Sequence, residues 1–428
     1  MKTKTIIPQD QVFWYLKKQT PKLPTQKIKT DIVVVGGGIA GLSAAQSFHD
    51  RGLSVVLLEK NYCGAGASGK SSGFITPESE FNVSHFIHLF GKDNAKKLWD
   101  FVITGVELMR SNIKKFDITC DYQEQDSLVV VNSAQKLADL KKEHHNRQLL
   151  GYDSFFYEKQ DISNVLGSRE YFGALRYSNT FGIDSYRYCQ GMKEVLENSG
   201  VQIFEEAPVI KINTKSVETI YNTIEAENII VCTDRFTPDL NKLTHDIYQA
   251  QTFLMLSSPL SDNDVRKVFP EKNCMVWDTD LIYQYYRLTG DNRLLIGGSN
   301  LTSIYWGQER HNYHSIFKKL HNYLKTKFPD LSCNFEYTWP GLIGVSKDTM
   351  PIAQQDAQAP NIYYISGVAG LPWGAALGGY STDKILDNKN DFDTFFSRTR
   401  KFPIGSSTQK ILGKRISFAV SNLITLYK

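Results

Sequence analysis

Three glycines spaced Gly36-x-Gly38-x-x-Gly41 stand between a β-branched apolar run, Ile32 to Val35, and a helix-forming run, Leu42 to Asp50, that is closed by Gly52. Each glycine answers a different mechanical need. Gly36 permits a tight turn, Gly38 lets the backbone approach an anionic group, and Gly41 lets the helix pack closely on the strand. Unpaired N–H groups and the positive end of the helix dipole favour phosphate oxygens there. Glu59 closes the next strand, Val55 to Leu58, where a carboxylate accepts hydrogen bonds from a ribose 2′-hydroxyl and repels a 2′-phosphate. The expected chemistry is dinucleotide binding, with FAD or NAD favoured over NADP.

Two further stretches extend this site. The run Gly64-Ala65-Gly66-Ala67-Ser68-Gly69-Lys70-Ser71-Ser72-Gly73 is too long for an ordinary turn, and its small side chains let backbone approach a planar or phosphorylated ligand. Near the other end, a strand through Ile362 to Ser366 runs into Gly367-Val368-Ala369-Gly370-Leu371-Pro372-Trp373-Gly374, followed by a helix from Ala375. A second anion-facing helix N-terminus suits a flavin, whose ring needs its own cradle, better than a simple NAD dehydrogenase. Between these stretches, alternation along Leu281 to Leu288 puts Tyr283, Tyr285 and Arg287 on one strand face. That face is either the roof of a substrate pocket or an aromatic packing surface.

The elements that must position these groups follow from periodicity. Helices are expected over residues 92 to 117 and 134 to 150, around a strand at Ser127 to Val131. A helix from Tyr186 to Asn198 precedes strands at Val201 to Phe204 and Val209 to Ile212. Ala226 to Thr233 reads as a buried strand returning to the nucleotide-binding part, and a helix follows at His314 to Lys327. His144 and His145 lie in a lysine-rich helical stretch without a carboxylate or cysteine partner at ligand spacing, so they read as solvated surface and no metal site is expected.

A chain of 428 residues with 41% apolar composition is long for one core, and two domains are expected. Net charge of +4 and the lack of zinc-finger or RNP-like runs speak against a nucleic-acid partner. The six cysteines, Cys63, Cys120, Cys189, Cys232, Cys274 and Cys333, form no C-x-x-C pair and read as reduced structural thiols. The lysine-rich residues 1 to 30 read as an extended lead-in with Phe13, Trp14 and Tyr15 as an apolar anchor. No apolar run is long enough to span a bilayer, so a cytoplasmic location is expected.

Taken together, Asp31 to Glu59, Gly64 to Gly73, the helix start at Asp184 and Tyr186, Trp339 to Pro351 and Gly367 to Gly379 resemble the D-amino-acid oxidase-like flavoprotein superfamily. That superfamily includes glycine oxidase, sarcosine oxidases and γ-glutamylputrescine oxidase. The resemblance implies an α/β fold: a Rossmann-like FAD-binding domain from residues 1–91, 168–240 and 336–428, with a discontinuous α+β substrate domain, mainly antiparallel sheet, from 92–167 and 241–335. It implies that Gly36, Gly38, Ile39, Ala40 and Gly41 hold the pyrophosphate and that Glu59 and Lys60 meet the adenosine ribose. Val209 would meet the adenine through its backbone. Gly66, Ala67, Ser68, Gly69, Ser71, Ser72 and Gly73, with Cys232, Thr233, Gly341, Gly367, Gly370, Leu371, Pro372, Trp373 and Gly374, complete the implied cofactor contacts.

Two departures carry information. Members with cysteine-linked flavin carry that cysteine in the stretch matching Ile343 to Val345, and none stands there, so FAD is expected to be non-covalent. Sarcosine oxidases carry a carboxylate-binding lysine at the position matching Gly374, which speaks against a simple N-methyl amino acid. The implied activity is oxidation of the C–N bond of a small amine or amino acid by hydride transfer to flavin N5, with oxygen as acceptor. Arg287 is expected to grip an anionic or carbonyl group, Tyr285 to hydrogen-bond substrate, and Trp373 to wall the flavin.

The stretch from Phe395 to Lys428 contains no acidic residue and carries Arg398, Arg400, Lys401, Lys410, Lys414, Arg415 and Lys428. An amphipathic helix over Ile416 to Ile424 would either pack on the FAD domain or attach peripherally to an anionic membrane. Membrane attachment would favour a dehydrogenase that passes electrons to a quinone. A third reading is a flavin-binding assembly factor without turnover.

Overall fold

The computed structural model describes residues 9–10, 12–13, 27–78, 80–234, 240, 242–243, 246–280, 283–298, 314–400, 402, 408–413, 416–417 and 420. Among these the chain builds an eight-stranded and a nine-stranded sheet, with a three-stranded sheet formed by Phe74–Ile75, Phe181–Gly182 and Gln123–Glu124.

The eight-stranded sheet is centred on the strand Ile28–Val35, which pairs in parallel with Val55–Leu58 on one side and Thr223–Val231 on the other. Gln202–Phe204 extends it in parallel beyond Val55–Leu58, and Ile362–Ser366 pairs in parallel with the end of Thr223–Val231. Parallel strands are covered on both faces, which is why their sequences are continuous apolar runs. Ile32, Val34, Val55 and Leu57 face one core, while Val33, Val35, Val56 and Leu58 face the other. The first core holds the helices Ile39–Asp50, Lys92–Phe116 and Leu371–Leu386.

The nine-stranded sheet is mainly antiparallel and has the order Gln9–Asp10, Phe335–Ser346, Ile247–Pro259, Arg293–Gly298, Gln284–Leu288, Cys274–Asp278, Asp126–Val131, Gly173–Tyr177 and Phe155–Glu158. One face packs Val276, Tyr286, Leu288, Leu294 and Ile296 against Ile316, Leu320 and Leu324 of the helix His314–Lys327. The opposite face, carrying Leu254, Trp277 and Tyr285, turns toward the first sheet and roofs the site below.

The helix Lys92–Phe116 shares its core with the nucleotide-binding half, because Gly105 lets it approach until an added Cβ would stand 2.0 Å from the Pro372 carbonyl oxygen. Gly173–Tyr177 and Phe335–Ser346 are strands of the nine-stranded sheet. The helices expected over 92–117 and 134–150 are Lys92–Phe116 and Leu137–Leu149, the latter led by a short 3-10 turn. In the lead-in, Phe13 packs edge-on against Tyr337 at 4.9 Å, while Trp14 and Tyr15 lie outside the described residues. Most of the run Ile416 to Ile424, with Leu281 and Ile282, also lies outside them.

Candidate active site

The strand Ile28–Val35 ends in Gly36 at φ 111°, in the left-handed region that favours glycine. Its N–H donates to the Leu58 carbonyl at 2.8 Å, and a Cβ there would meet the Cys232 carbonyl oxygen at 2.6 Å. A Cβ on Gly41 would stand 1.9 Å from the Gly36 carbonyl oxygen, so this glycine seats the helix on the turn. Gly38 caps the helix Ile39–Asp50 in extended conformation without a side-chain cap of its own, and Ser68 Oγ accepts from the Ile39 N–H at 3.0 Å. The glycine-rich loop thus lies over the helix N-terminus.

A cavity of about 350 Å³ opens at this turn, lined by Gly38, Glu59, Ser68, Val209, Thr233 and Gly374 among others. Glu59 accepts from the N–H groups of Gly37 at 2.8 Å and Asn61 at 2.9 Å. Burial raises its pKa above the ordinary carboxyl value, and those two N–H groups act in the opposite direction. A carboxylate offers about four acceptor sites, so two contacts leave capacity for ribose hydroxyls. At the far end, Gly370 caps the helix Leu371–Leu386 at φ 102°, again without a side-chain cap. A Cβ on Gly66 would meet nothing within 4 Å. Two open helix N-termini, a strand-end carboxylate and a bare glycine edge on one cavity fit a dinucleotide with a flavin end.

A second cavity of about 190 Å³ shares Ala67, Ser71, Ile343, Gly370 and Leu371 with the first. Its walls include Phe74, Trp277, Tyr283 and Tyr285, with Lys70, Glu78 and Glu80 as the charged groups. Glu78 accepts from Arg147 Nη2 at 2.6 Å, and Arg147 Nε donates to Glu143 at 2.8 Å. Burial pushes the Glu78 carboxyl up to about 7, against the pull of Arg147 and with the push of Glu143. Glu80, also raised by burial, accepts from the Tyr283 hydroxyl at 3.2 Å. The Tyr283 phenol is pushed well above its ordinary value, first by Glu80 and then by burial.

Residues 31–383 match the model of the DAO family, FAD dependent oxidoreductase. The chain belongs to this family. As a DAO-family protein it is 30% identical over 374 residues to the probable oxidoreductase OrdL of Haemophilus influenzae, covering 84% of this chain and 83% of that one. It is 30% identical to the gamma-glutamylputrescine oxidoreductase of Escherichia coli, covering 81% and 80% of the two chains. In fold it is similar to glycine oxidase from Geobacillus kaustophilus, with a TM-score of 0.74 at 18% identity over 88% of this chain and 100% of that one. L-proline dehydrogenase from P. horikoshii gives a TM-score of 0.72 at 16% identity, over 86% and 96% of the chains. The protein is an FAD-dependent oxidoreductase.

In this DAO-family chain Gly36, Gly38, Ile39, Ala40, Glu59, Lys60, Gly66, Ala67, Ser68, Ser71, Val209, Cys232, Thr233, Gly370, Leu371 and Gly374 line the larger cavity. Ser72, Gly341, Pro372 and Tyr285 line the smaller one. Several expected contacts stand elsewhere. Gly41 and Gly69 are spent on close backbone packing, with added Cβ atoms 1.9 Å from the Gly36 and 2.2 Å from the Gly64 carbonyl oxygens. Gly73 and Gly367 serve turns at φ 72° and 67°. Pro372 has no N–H, so only its neighbours can donate at that helix start.

Arg287 and Trp373, two of the expected catalytic residues, line neither cavity. Arg287 is fully buried and lines neither cavity; its Nε donates to the Ser72 carbonyl at 2.8 Å, Nη1 to Leu288 at 3.0 Å and Nη2 to Ile183 at 2.6 Å. Through those bonds it ties the glycine-rich loop to the roof sheet, away from both cavities. The Trp373 ring turns into the core against Phe86, Phe101 and Phe396, because the helix Leu371–Leu386 shows its small-residue side to the cofactor cavity. Sequence reasoning missed Glu78 and Glu80, although two carboxylates in Thr76-Pro77-Glu78-Ser79-Glu80 directly after the glycine-rich loop were a visible signal. The helix Leu137–Leu149 also buries Glu143 and Arg147, which the sequence reading did not single out. His144 is half-buried, with its Nδ1 2.8 Å from Ser154 Oγ, while His145 is exposed.

Proposed function

We propose that this protein oxidises the C–N bond of a small amine or amino acid, with non-covalent FAD as oxidant and dioxygen as final acceptor. The observation that carries the reading is the continuity of the two cavities: an aromatic chamber opens on the glycine-lined cradle through Ala67, Ser71, Gly370 and Leu371. When bound, FAD supplies a two-electron acceptor for a hydride leaving the carbon beside nitrogen. The substrate is left as an imine, which water hydrolyses to a carbonyl compound and an amine.

The chain's own part is orientation and electrostatics. Gly370, Leu371 and Trp373 N–H groups at the helix start favour negative charge developing on a reduced ring. Phe74, meeting Tyr285 edge-on at 5.6 Å, and Trp277 narrow the chamber and exclude water from the reacting carbon. The Tyr285 hydroxyl, which also meets the Thr252 side chain, would hydrogen-bond the substrate. Glu78, with its pKa near 7, can take the proton that leaves an ammonium nitrogen before oxidation.

The test is product stoichiometry in air with a panel of amines, N-methyl amino acids, D-amino acids and 2-hydroxy acids. One hydrogen peroxide per carbonyl product from an amine supports the reading; carbonyl product without peroxide would assign the electrons to another acceptor. Among the described residues no helix is long and apolar enough to cross a membrane. Exposed Ile411, Leu412 and Ile416 in the basic tail favour, as a second reading, peripheral membrane contact with a quinone as acceptor.

A further inference from the structure

The chamber beside the flavin cradle is more acidic than oxidation of a simple amine requires. Among the described residues Arg147 is the cation paired with Glu78, and it serves two carboxylates, Glu78 at 2.6 Å and Glu143 at 2.8 Å. That cluster therefore keeps a net negative charge when all three groups are ionised. Glu80 has no cation within salt-bridge distance among the described residues; its contact is the Tyr283 hydroxyl at 3.2 Å. A largely buried carboxylate answered, among the described residues, by a phenol is poorly compensated, and a cation beside it would restore the balance. The rings of Tyr283, Tyr285, Phe74 and Trp277 stand around the same space, offering π faces that also attract cations. Lys70, the positive group of the lining, comes from the glycine-rich loop next to the cradle.

We propose that Glu80 binds the second cationic group of an aliphatic diamine-type donor whose other amine is oxidised at the cradle. This rests on the amine-oxidation reading and names its substrate class. The electrons leave from the reacting end: the carbon beside the neutral amine would lose a hydride to FAD, the oxidant, and that nitrogen would lose a proton as the imine forms. The distal ammonium keeps its proton and is neither oxidised nor reduced. Tyr283 orients the carboxylate, and the aromatic walls fix the alkyl chain between the two ends.

The test compares matched pairs, 1,4-diaminobutane with n-butylamine and 1,5-diaminopentane with n-pentylamine, on the FAD-loaded protein. Two readouts are taken: perturbation of the oxidised flavin spectrum on binding, and the anaerobic bleaching rate. The diamines are expected to bind about thirtyfold or more tightly than their monoamines, the discrimination typical of a buried charge pair. Glu80→Gln, which keeps shape and removes charge, is expected to reduce that ratio at least tenfold with the flavin spectrum preserved. Equal binding of diamine and monoamine by the wild type overturns the proposal without use of any variant. An unchanged ratio in Glu80→Gln overturns it too. Bleaching by amines with no diamine preference leaves the amine-oxidation reading standing and removes this one. Diamine-selective, Glu80-dependent spectral change without bleaching supports the cation site and removes the oxidation reading instead.

Discussion

Arg287 Nη2 donates to the Ile183 carbonyl at 2.6 Å while its Nε donates to the Ser72 carbonyl at 2.8 Å, so one buried guanidinium joins the roof strand to two loops of the flavin side. Its pKa is pushed down to about 10 by burial, against the attraction of Asp121 and Asp184. Arg287→Ala leaves these carbonyls without donors and is expected to cost on the order of 3 kcal/mol of stability. Urea unfolding and retained FAD per chain should both fall, while KM of the holoenzyme fraction stays near wild type. A large rise in KM at unchanged stability would restore Arg287 as a substrate ligand.

Gly41 and Gly66 separate folding from cofactor binding. Gly41→Ala drives a Cβ to within 1.9 Å of the Gly36 carbonyl oxygen, so the protein should be destabilised even without FAD. Gly66→Ala meets nothing within 4 Å yet lies on the cofactor cavity. Its apoprotein should melt with the wild type, and its FAD dissociation constant should rise. Thermal melts of both apoproteins, with FAD titrations, check the contrast; equal FAD affinity in Gly66→Ala contradicts it.

The Asp184 carboxyl is pushed from 3.8 up to about 7, mainly by burial, with the Arg187 N–H and charge opposing. The folded chain therefore holds a proton that the unfolded chain releases between those values. The associated stabilisation is whole below about pH 4 and is lost as pH rises to 7, on the order of 4 kcal/mol. Asp184→Asn keeps an acceptor for the Arg187 N–H at the helix cap and removes the titration. Urea midpoints at pH 5 and pH 8 should differ less in the variant; parallel pH profiles would contradict the assignment.

Trp373 belongs to an aromatic core, with ring centroids 6.2 Å from Phe86 and 5.9 Å from Phe396. Trp373→Ala should cost about 3–5 kcal/mol, as large-to-small core changes do, and Trp373→Phe less. A slowed bleaching rate in Trp373→Phe at wild-type stability would return the ring to the flavin.

The cofactor half was legible because backbone geometry dictates it. The turn at Gly36 to Gly41 and the carboxylate at Glu59 stand where the expected dinucleotide site needs them, and the sheet appeared at Ile28–Val35 and Val55–Leu58 where apolar runs required it. The substrate half was less legible because alternation fixes a face and not what lies opposite it. Tyr285 and Arg287 do share the face away from Tyr286 and Leu288, but only Tyr285 reaches the chamber. Arg287 meets three carbonyls supplied by distant loops and its own strand, which no local pattern announces. Helix rotation hid Trp373 in the same way: its position at the glycine-rich turn was right, and its side chain follows the apolar face. Glu78 and Glu80 went unread because a carboxylate beside a proline looks like solvated loop until a buried partner such as Arg147 is in view.

The most direct test of the central claim is the visible spectrum of the purified, FAD-reconstituted protein before and after anaerobic addition of amines. A yellow protein whose flavin band is bleached by an amine, and whose colour returns in air, is the predicted result. A protein that cannot be reconstituted with FAD, or whose flavin no amine or amino acid reduces, would contradict it.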